Sequence, residues 1–352
     1  MKVSPTKSKT VHQIHWLQLT VLFIGGGIIY IIPYLRSIYY TPFQHALGVD
    51  NTQLGVIQSV FGLSSILCYF PGGWLADRFS ARKLLTLSYI ATGLAGWWLS
   101  GFPSYEVTLF LYAAFGVTTT LTFWAALIKA TRQTGGEKAQ GRAFGFLESG
   151  RRIVSTLLSL GSVVIFARYA VESAGLGAVI KGFSICYFVI AVITWFILTD
   201  AHPAGETIGP MDLKKMAMIL KIKTIWFISA IVFLSYTIYR FADFLTPYLT
   251  NMGGVSPSMG AVLGTLKQYG LGPFGALGAG FLADRISASK ALVYLLMACF
   301  LCNLLYVLIP VNPHVVLFIV INMVVFMTAV FAMRGIYFAL LEEWTRGTSP
   351  WP

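Results

Sequence analysis

The sequence predicts an all-α polytopic membrane protein made of two pseudo-symmetric helical bundles with about ten transmembrane helices. Three observations predict it. First, 57% of the 352 residues are hydrophobic and only 11% charged, with a mean hydropathy of +0.74, where soluble domains carry about a quarter charged residues. Second, apolar runs close to the roughly 20 residues that cross a bilayer recur ten times. Third, one phrase occurs twice, as Gly73-Trp-Leu-Ala-Asp77-Arg78-Phe-Ser80-Ala-Arg82-Lys83 and as Gly280-Phe-Leu-Ala-Asp284-Arg285-Ile-Ser287-Ala-Ser289-Lys290. The two copies are separated by about the length of six spans, so the chain reads as one unit repeated.

The spans run Trp16–Tyr39, Gln53–Ala76, Leu84–Gly101, Tyr105–Ile128, Ala143–Phe166, Leu176–Leu198, Ile225–Leu249, Ser258–Leu282, Ala291–Pro310 and His314–Leu340. Their Ile, Val, Phe and Tyr content favours strands, but backbone groups in hydrocarbon must be satisfied within the segment, which forces helix. A β-barrel needs alternating strands, and these runs are continuous. The division expected is residues 1–198 as a six-helix bundle, 199–224 as a linker, 225–343 as a four-helix bundle and 344–352 as an atypical tail.

Sixteen Lys and Arg fall in the N-terminus and alternate loops against one, Arg168, in the opposite loops, which places the N-terminus in the cytoplasm. Linker residues Met211 to Lys223 mix apolar and basic positions, as a helix lying on an anionic leaflet does. The N-terminus is basic, but the apolar run after it is too long for a signal peptide and has no cleavage site. Cys68, Cys186, Cys299 and Cys302 all sit inside apolar runs and read as small buried hydrophobes, with no metal site or disulfide framework.

Charges inside spans are expensive, roughly 2.5–3.5 kcal/mol each at a helix centre, and are therefore functional candidates. The basic ones are Arg36, Arg151, Arg152, Lys181, Arg240, Lys267 and Arg334; the acids are Glu148 and Asp243. Glu148 precedes Arg151 and Arg152 by three and four residues, and Arg240 precedes Asp243 by three, so local pairs are expected. These pairs serve either neutralisation or coupling. Lys181 reads as snorkelling to the outer interface. Arg36, Arg240, Lys267 and Arg334 remain, with Asp243 alone to answer them. Arg36 and Arg240 lie at nearly equal distances before Asp77 and Asp284, which favours one site between the halves. Guanidinium groups offer paired donors to carboxylate, phosphate or sulfonate oxygens. Tyr30, Tyr34, Trp124, Tyr239 and Tyr269 lie near them and face either an organic body or ordinary helix packing.

The doubled phrase, Gly-x-x-x-Asp-Arg with basic residues after it, resembles the signature of the major facilitator superfamily, with Ser80 and Ser287 in place of its glycine. The resemblance runs to about Glu343. It implies two six-helix bundles around a central cavity that opens alternately to each side, with Gly73, Asp77, Arg78, Arg82, Lys83, Gly280, Asp284, Arg285 and Lys290 at the gating loops. Ten spans instead of twelve mean either a natural ten-helix form or absent last helices. The helix 1 exit, with Pro42 and then Gln53-Leu54-Gly55, resembles the organophosphate and anion-handling branches. That resemblance implies a symporter or antiporter in the inner membrane.

The function expected is a secondary carrier for a small organic anion, with Arg36, Arg240, Lys267, Arg334, Tyr34 and Tyr239 at the substrate and Glu148, Arg151 and Asp243 as coupling groups or ion pairs. The alternatives are a carrier of a neutral sugar or drug-like solute and a non-transporting family member. The absence of a Walker phrase argues against ATP-driven pumping, and no Ser/His/Asp or Cys/His grouping at a common depth points to an enzyme. The basic residues are spread through loops rather than gathered in a patch, so nucleic acid is not expected. The partners are a small substrate and the bilayer, no cofactor is called for, and a monomer is expected.

Overall fold

The computed structural model describes residues 15–135, 140–199, 221, 223–272, 274–275, 285–309 and 314–345. Every element among them is helical: α1 (Trp16–Ile28), α2 (Tyr40–Leu47), α3 (Asn51–Arg78), α4 (Ala81–Leu99), α5 (Tyr105–Gly116), α6 (Ala125–Gly135), α7 (Gln140–Phe166), α8 (Glu172–Ile197), α9 (Lys223–Phe241), α10 (Leu245–Asn251), α11 (Pro257–Thr265), α12 (Ala288–Leu308) and α13 (Val316–Thr345). Seven continuous helical stretches among the described residues are long and apolar enough to cross a membrane. Most of the linker and tail, together with Gly280 and Asp284, lies outside the described residues.

Polar caps fix where helices begin. Asp50 accepts from the Gln53 amide at 2.7 Å while Gln53 accepts from the Asp50 amide at 3.0 Å, a reciprocal box that starts α3. Ser80 caps α4 through the Lys83 amide at 3.3 Å, and Ser256 caps α11, which has Pro257 in its first turn. Along their outer faces the helices present Leu63, Ile66, Leu67, Phe196 and Val307, which suits lipid as solvent.

Two spans read as continuous in the sequence are broken. The first passes from α1 through Pro33 into a 3₁₀ turn, Leu35–Ser37, before α2. The seventh passes from α9 through a 3₁₀ turn, Ala242–Phe244, into α10. Proline removes an amide donor and crowds the carbonyl four residues back. Pro247 stands four after Asp243 and Pro42 four after Ile38, so each crowds the chain at or just after its 3₁₀ turn. The fourth and eighth spans each contain a π turn, Val117–Trp124 and Leu266–Gly270, a geometry concentrated at functional sites.

Two clusters of buried residues fill the first six spans, one of them reaching across to Ala261 of α11, and a third lies within the later spans. α2 packs on α10, and α7 packs on α11 and its following π turn, which joins the halves. The approach is close: a Cβ on Gly264 would lie 2.9 Å from the Ile38 Cα.

Candidate functional site

The two 3₁₀ turns meet. Arg36, on the first, donates from Nη2 to Asp243 Oδ2 on the second at 3.4 Å, and Ser37 Oγ donates to Asp243 Oδ1 at 2.8 Å. Arg240 reaches the same Oδ2 at 3.3 Å. Asp243 is 3% exposed, so one buried carboxylate holds two guanidinium groups from opposite halves. The Arg36 Nη1 also donates to the Leu54 carbonyl at 3.3 Å, and its buried Nε has no hydrogen-bond partner among the described residues.

Lys267 completes the group from the π turn of the eighth span. It is fully buried and donates to the Ala242 carbonyl at 2.8 Å and the Thr246 hydroxyl at 3.2 Å. Its ammonium thus clamps the break in the seventh span, where the 3₁₀ turn leaves carbonyls out of the α-helical ladder. Beside this cluster the halves are sealed. Thr41 bonds to Thr250 at 3.2 Å and Asn251 at 3.3 Å, and the Tyr40 and Phe244 rings lie 6.3 Å apart.

Aromatic faces carry the cations onward. Arg240 lies 4.8 Å from the Tyr34 ring centroid and 5.2 Å from that of Tyr239; Tyr239 donates its hydroxyl to Gln268 at 3.0 Å. Arg334 lies 5.1 Å from the same Tyr239 ring and bonds the Tyr236 hydroxyl at 3.0 Å. Arg152, from α7, stands 5.4 Å over Phe331 of α13, again across the halves. The local pairs expected in helix 5 form, Glu148 to Arg151 at 3.1 Å and to Arg152 at 3.0 Å. Arg151 also covers Trp124 at 5.2 Å. Tyr30 binds the Thr119 carbonyl in the π turn at 3.0 Å, and the Tyr269 hydroxyl has no partner among the described residues.

Arg36, Arg240, Lys267, Tyr34 and Tyr239 are therefore brought together, and Arg334 joins them through Tyr239. Sequence reasoning missed Ser37, Gln268, Tyr236 and Phe331. A helical face held the signal for two of them: Tyr236 stands three before Tyr239, and Phe331 three before Arg334.

At the repeated loops, Asp77 and Arg78 are exposed, Arg78 covers the Trp74 ring at 4.2 Å and Arg82 the Trp195 ring at 4.9 Å. Lys129 donates to the Ala76 and Phe79 carbonyls at 2.7 and 3.2 Å, closing the end of α3. A Cβ placed on Gly73 meets nothing within 4 Å. Ser287, unlike Ser80, takes φ +75° and ψ 151°, a region that belongs to glycine. Arg285 and Lys290 are exposed on either side of it.

Comparison with known proteins agrees with this architecture. The chain is 30% identical over 338 residues to the inner membrane protein YqcE of Escherichia coli, covering 93% of this chain and 79% of that protein. To the inner membrane protein YihN of the same organism it is 31% identical over 335 residues, covering 93% and 80%. A shorter stretch of 86 residues is 35% identical to the probable galactarate/D-glucarate transporter GudP of Bacillus subtilis, covering 24% and 18%. Among solved structures, a bacterial homologue of the human lysosomal transporter Spinster, inward-facing and unoccupied, superposes with a TM-score of 0.74 at 16% identity, covering 94% of this chain and 75% of that one. The nucleoside transporter NupG superposes with 0.74 at 14%, covering 93% and 82%. The Major Facilitator Superfamily profile matches residues 16–345, and the chain belongs to that superfamily of membrane transporters.

Proposed function

We propose that this transporter is a secondary carrier of a small organic anion, with its substrate site between the halves and its N-terminus in the cytoplasm. The observation that supports this reading best is Arg36, Arg240 and Lys267 gathered around the single carboxylate of Asp243. Arginine cannot shed its proton in a protein, so this cluster keeps a positive excess. An anion that enters beside Arg240 meets fixed donors and little competing water. Two unit charges 4 Å apart at an effective dielectric near 20 attract by about 4 kcal/mol, enough to offset a good part of the substrate's lost hydration. Tyr34 and Tyr239 beneath Arg240 supply faces for the organic body.

On this reading the seal formed by Thr41, Thr250 and Asn251 is the outer gate, and the cation-lined seam opens toward the cytoplasm. The GudP similarity makes D-glucarate a reasonable first probe. The test is uptake of labelled D-glucarate, phosphate and a neutral sugar into proteoliposomes, with and without a pH gradient. Uptake of an anion that is inhibited by other anions supports the proposal. Uptake of neutral solutes alone refutes it.

A further inference from the structure

The seam holds more cation than the Asp243 cluster uses. The rings of Tyr239 and Phe331 lie 5.9 Å apart, centroid to centroid, and are tilted by 56° to each other. Three guanidinium groups lie over them. Arg240 and Arg334 lie 5.2 and 5.1 Å from the Tyr239 centroid, and Arg334 and Arg152 lie 5.8 and 5.4 Å from that of Phe331. Arg334 is thus the middle member of a row.

Among the described residues, carboxylates form ion pairs with the ends of that row. Asp243 holds Arg240 at 3.3 Å, and Glu148 holds Arg152 at 3.0 Å. Glu148 is shared with Arg151 and is 51% exposed. Arg334 has the neutral Tyr236 hydroxyl as its hydrogen-bond partner at 3.0 Å, and no carboxylate lies within 4 Å of it among the described residues. A guanidinium held face-on to a ring keeps its N–H edges free for paired donation to an oxyanion. The row therefore presents two gaps for anions, one between Arg240 and Arg334 and one between Arg334 and Arg152.

We propose that these two gaps are two halves of one substrate site, and that the substrate is a short organic dianion with a charged group in each gap. The class is a dicarboxylate or an acid bearing a second oxyanion. Hydroxyls between the ends face Tyr236, Tyr239 and Gln268. This rests on the anion reading above and narrows it. A monoanion fills one gap and leaves Arg334 shared with nothing on its other side, so a matched pair of ligands differing only in one charge separates the two ideas.

The test uses the full chain in detergent and compares D-glucarate with D-gluconate, which keeps the six-carbon skeleton but carries one carboxylate, together with succinate, butyrate and inorganic phosphate. Affinity is read by ligand-induced shifts in melting temperature and by direct titration. Wild-type protein is expected to bind at least one dicarboxylate about tenfold or more tighter than its matched monoanion. Arg152→Gln, which touches only the second gap, erases that preference. Arg240→Lys weakens dianion and monoanion together, and Arg334→Lys tests the middle position with charge retained. Equal affinity for members of each pair, or a preference that survives Arg152→Gln, overturns the dianion proposal and leaves the anion reading standing. Protein that melts cooperatively yet responds to none of these anions overturns both.

Discussion

Replacing Asp243 with Asn removes the one carboxylate that two guanidinium groups share across the halves. At 3.4 Å and an effective dielectric near 20, the Arg36–Asp243 attraction is about 5 kcal/mol, and both side chains are buried. The Arg240 pair adds less, because that side chain is 36% exposed and water screens it. Asn can still accept from Ser37, but Arg36 loses its counter-charge while remaining in a dry setting. Breaking a buried pair from one side costs about 3–5 kcal/mol. Asp243→Asn should therefore lower stability by about that much, read as unfolding in detergent with a thiol-reactive dye that reports Cys299 and Cys302, both buried. Removing the orphaned cation as well should recover part of the loss, so Arg36→Gln/Asp243→Asn should be more stable than Asp243→Asn alone. A single-mutant cost below about 1 kcal/mol, or a double mutant with no recovery, refutes the idea that this ion pair holds the halves together.

Further outcomes follow from other parts of the molecule. Ser287→Gly should stabilise by about 1–3 kcal/mol, because φ +75° with ψ 151° is strained for any side chain, whereas Ser80→Gly should cost a few tenths through its weakened cap; paired melting curves test the contrast. Gly27→Ala should cost about 1–3 kcal/mol, since its Cβ would lie 2.7 Å from the Arg151 carbonyl; a neutral effect on melting would mean that α1 and α7 can move apart freely. Cysteines placed at Asn51 and Ser256 should react with an impermeant reagent in intact cells and one at Thr207 should not; the reverse pattern would invert the orientation.

The spans, the repeated loops and the pairs of Glu148 with Arg151 and Arg152 were legible because each depends on neighbours within a few turns. The Arg240–Asp243 pair was legible for the same reason. Arg36 was flagged by its charge and Asp243 as the acid left to answer it, but their direct contact was not legible, since Asp243 reaches Arg36 only after two 3₁₀ turns from opposite halves are packed together. Pro33 and Pro247 were the available signs of those breaks, masked because the flanking residues are apolar enough to continue a helix. The pairing of Tyr239 with Phe331 was hidden for another reason: aromatic residues are common in lipid-facing and packed positions alike, and only the placement of Arg152, Arg240 and Arg334 distinguishes these two.

The π turn in the fourth span has a consequence for angular phase. A π turn accommodates an additional residue within a helix, and each residue accounts for about 100° of α-helical rotation. Residues beyond Trp124 are therefore set about a quarter-turn away from where a plain helix beginning at Tyr105 would aim them. With that offset in place, Lys129 meets the Ala76 and Phe79 carbonyls. Deleting one residue between Val117 and Trp124 would let the segment relax to an ordinary helix and swing Lys129 off the end of α3, while Tyr30 lost its carbonyl at Thr119. The surplus residue thus keeps in register two stations on one rod, one among the seam aromatics and one at the repeated loop.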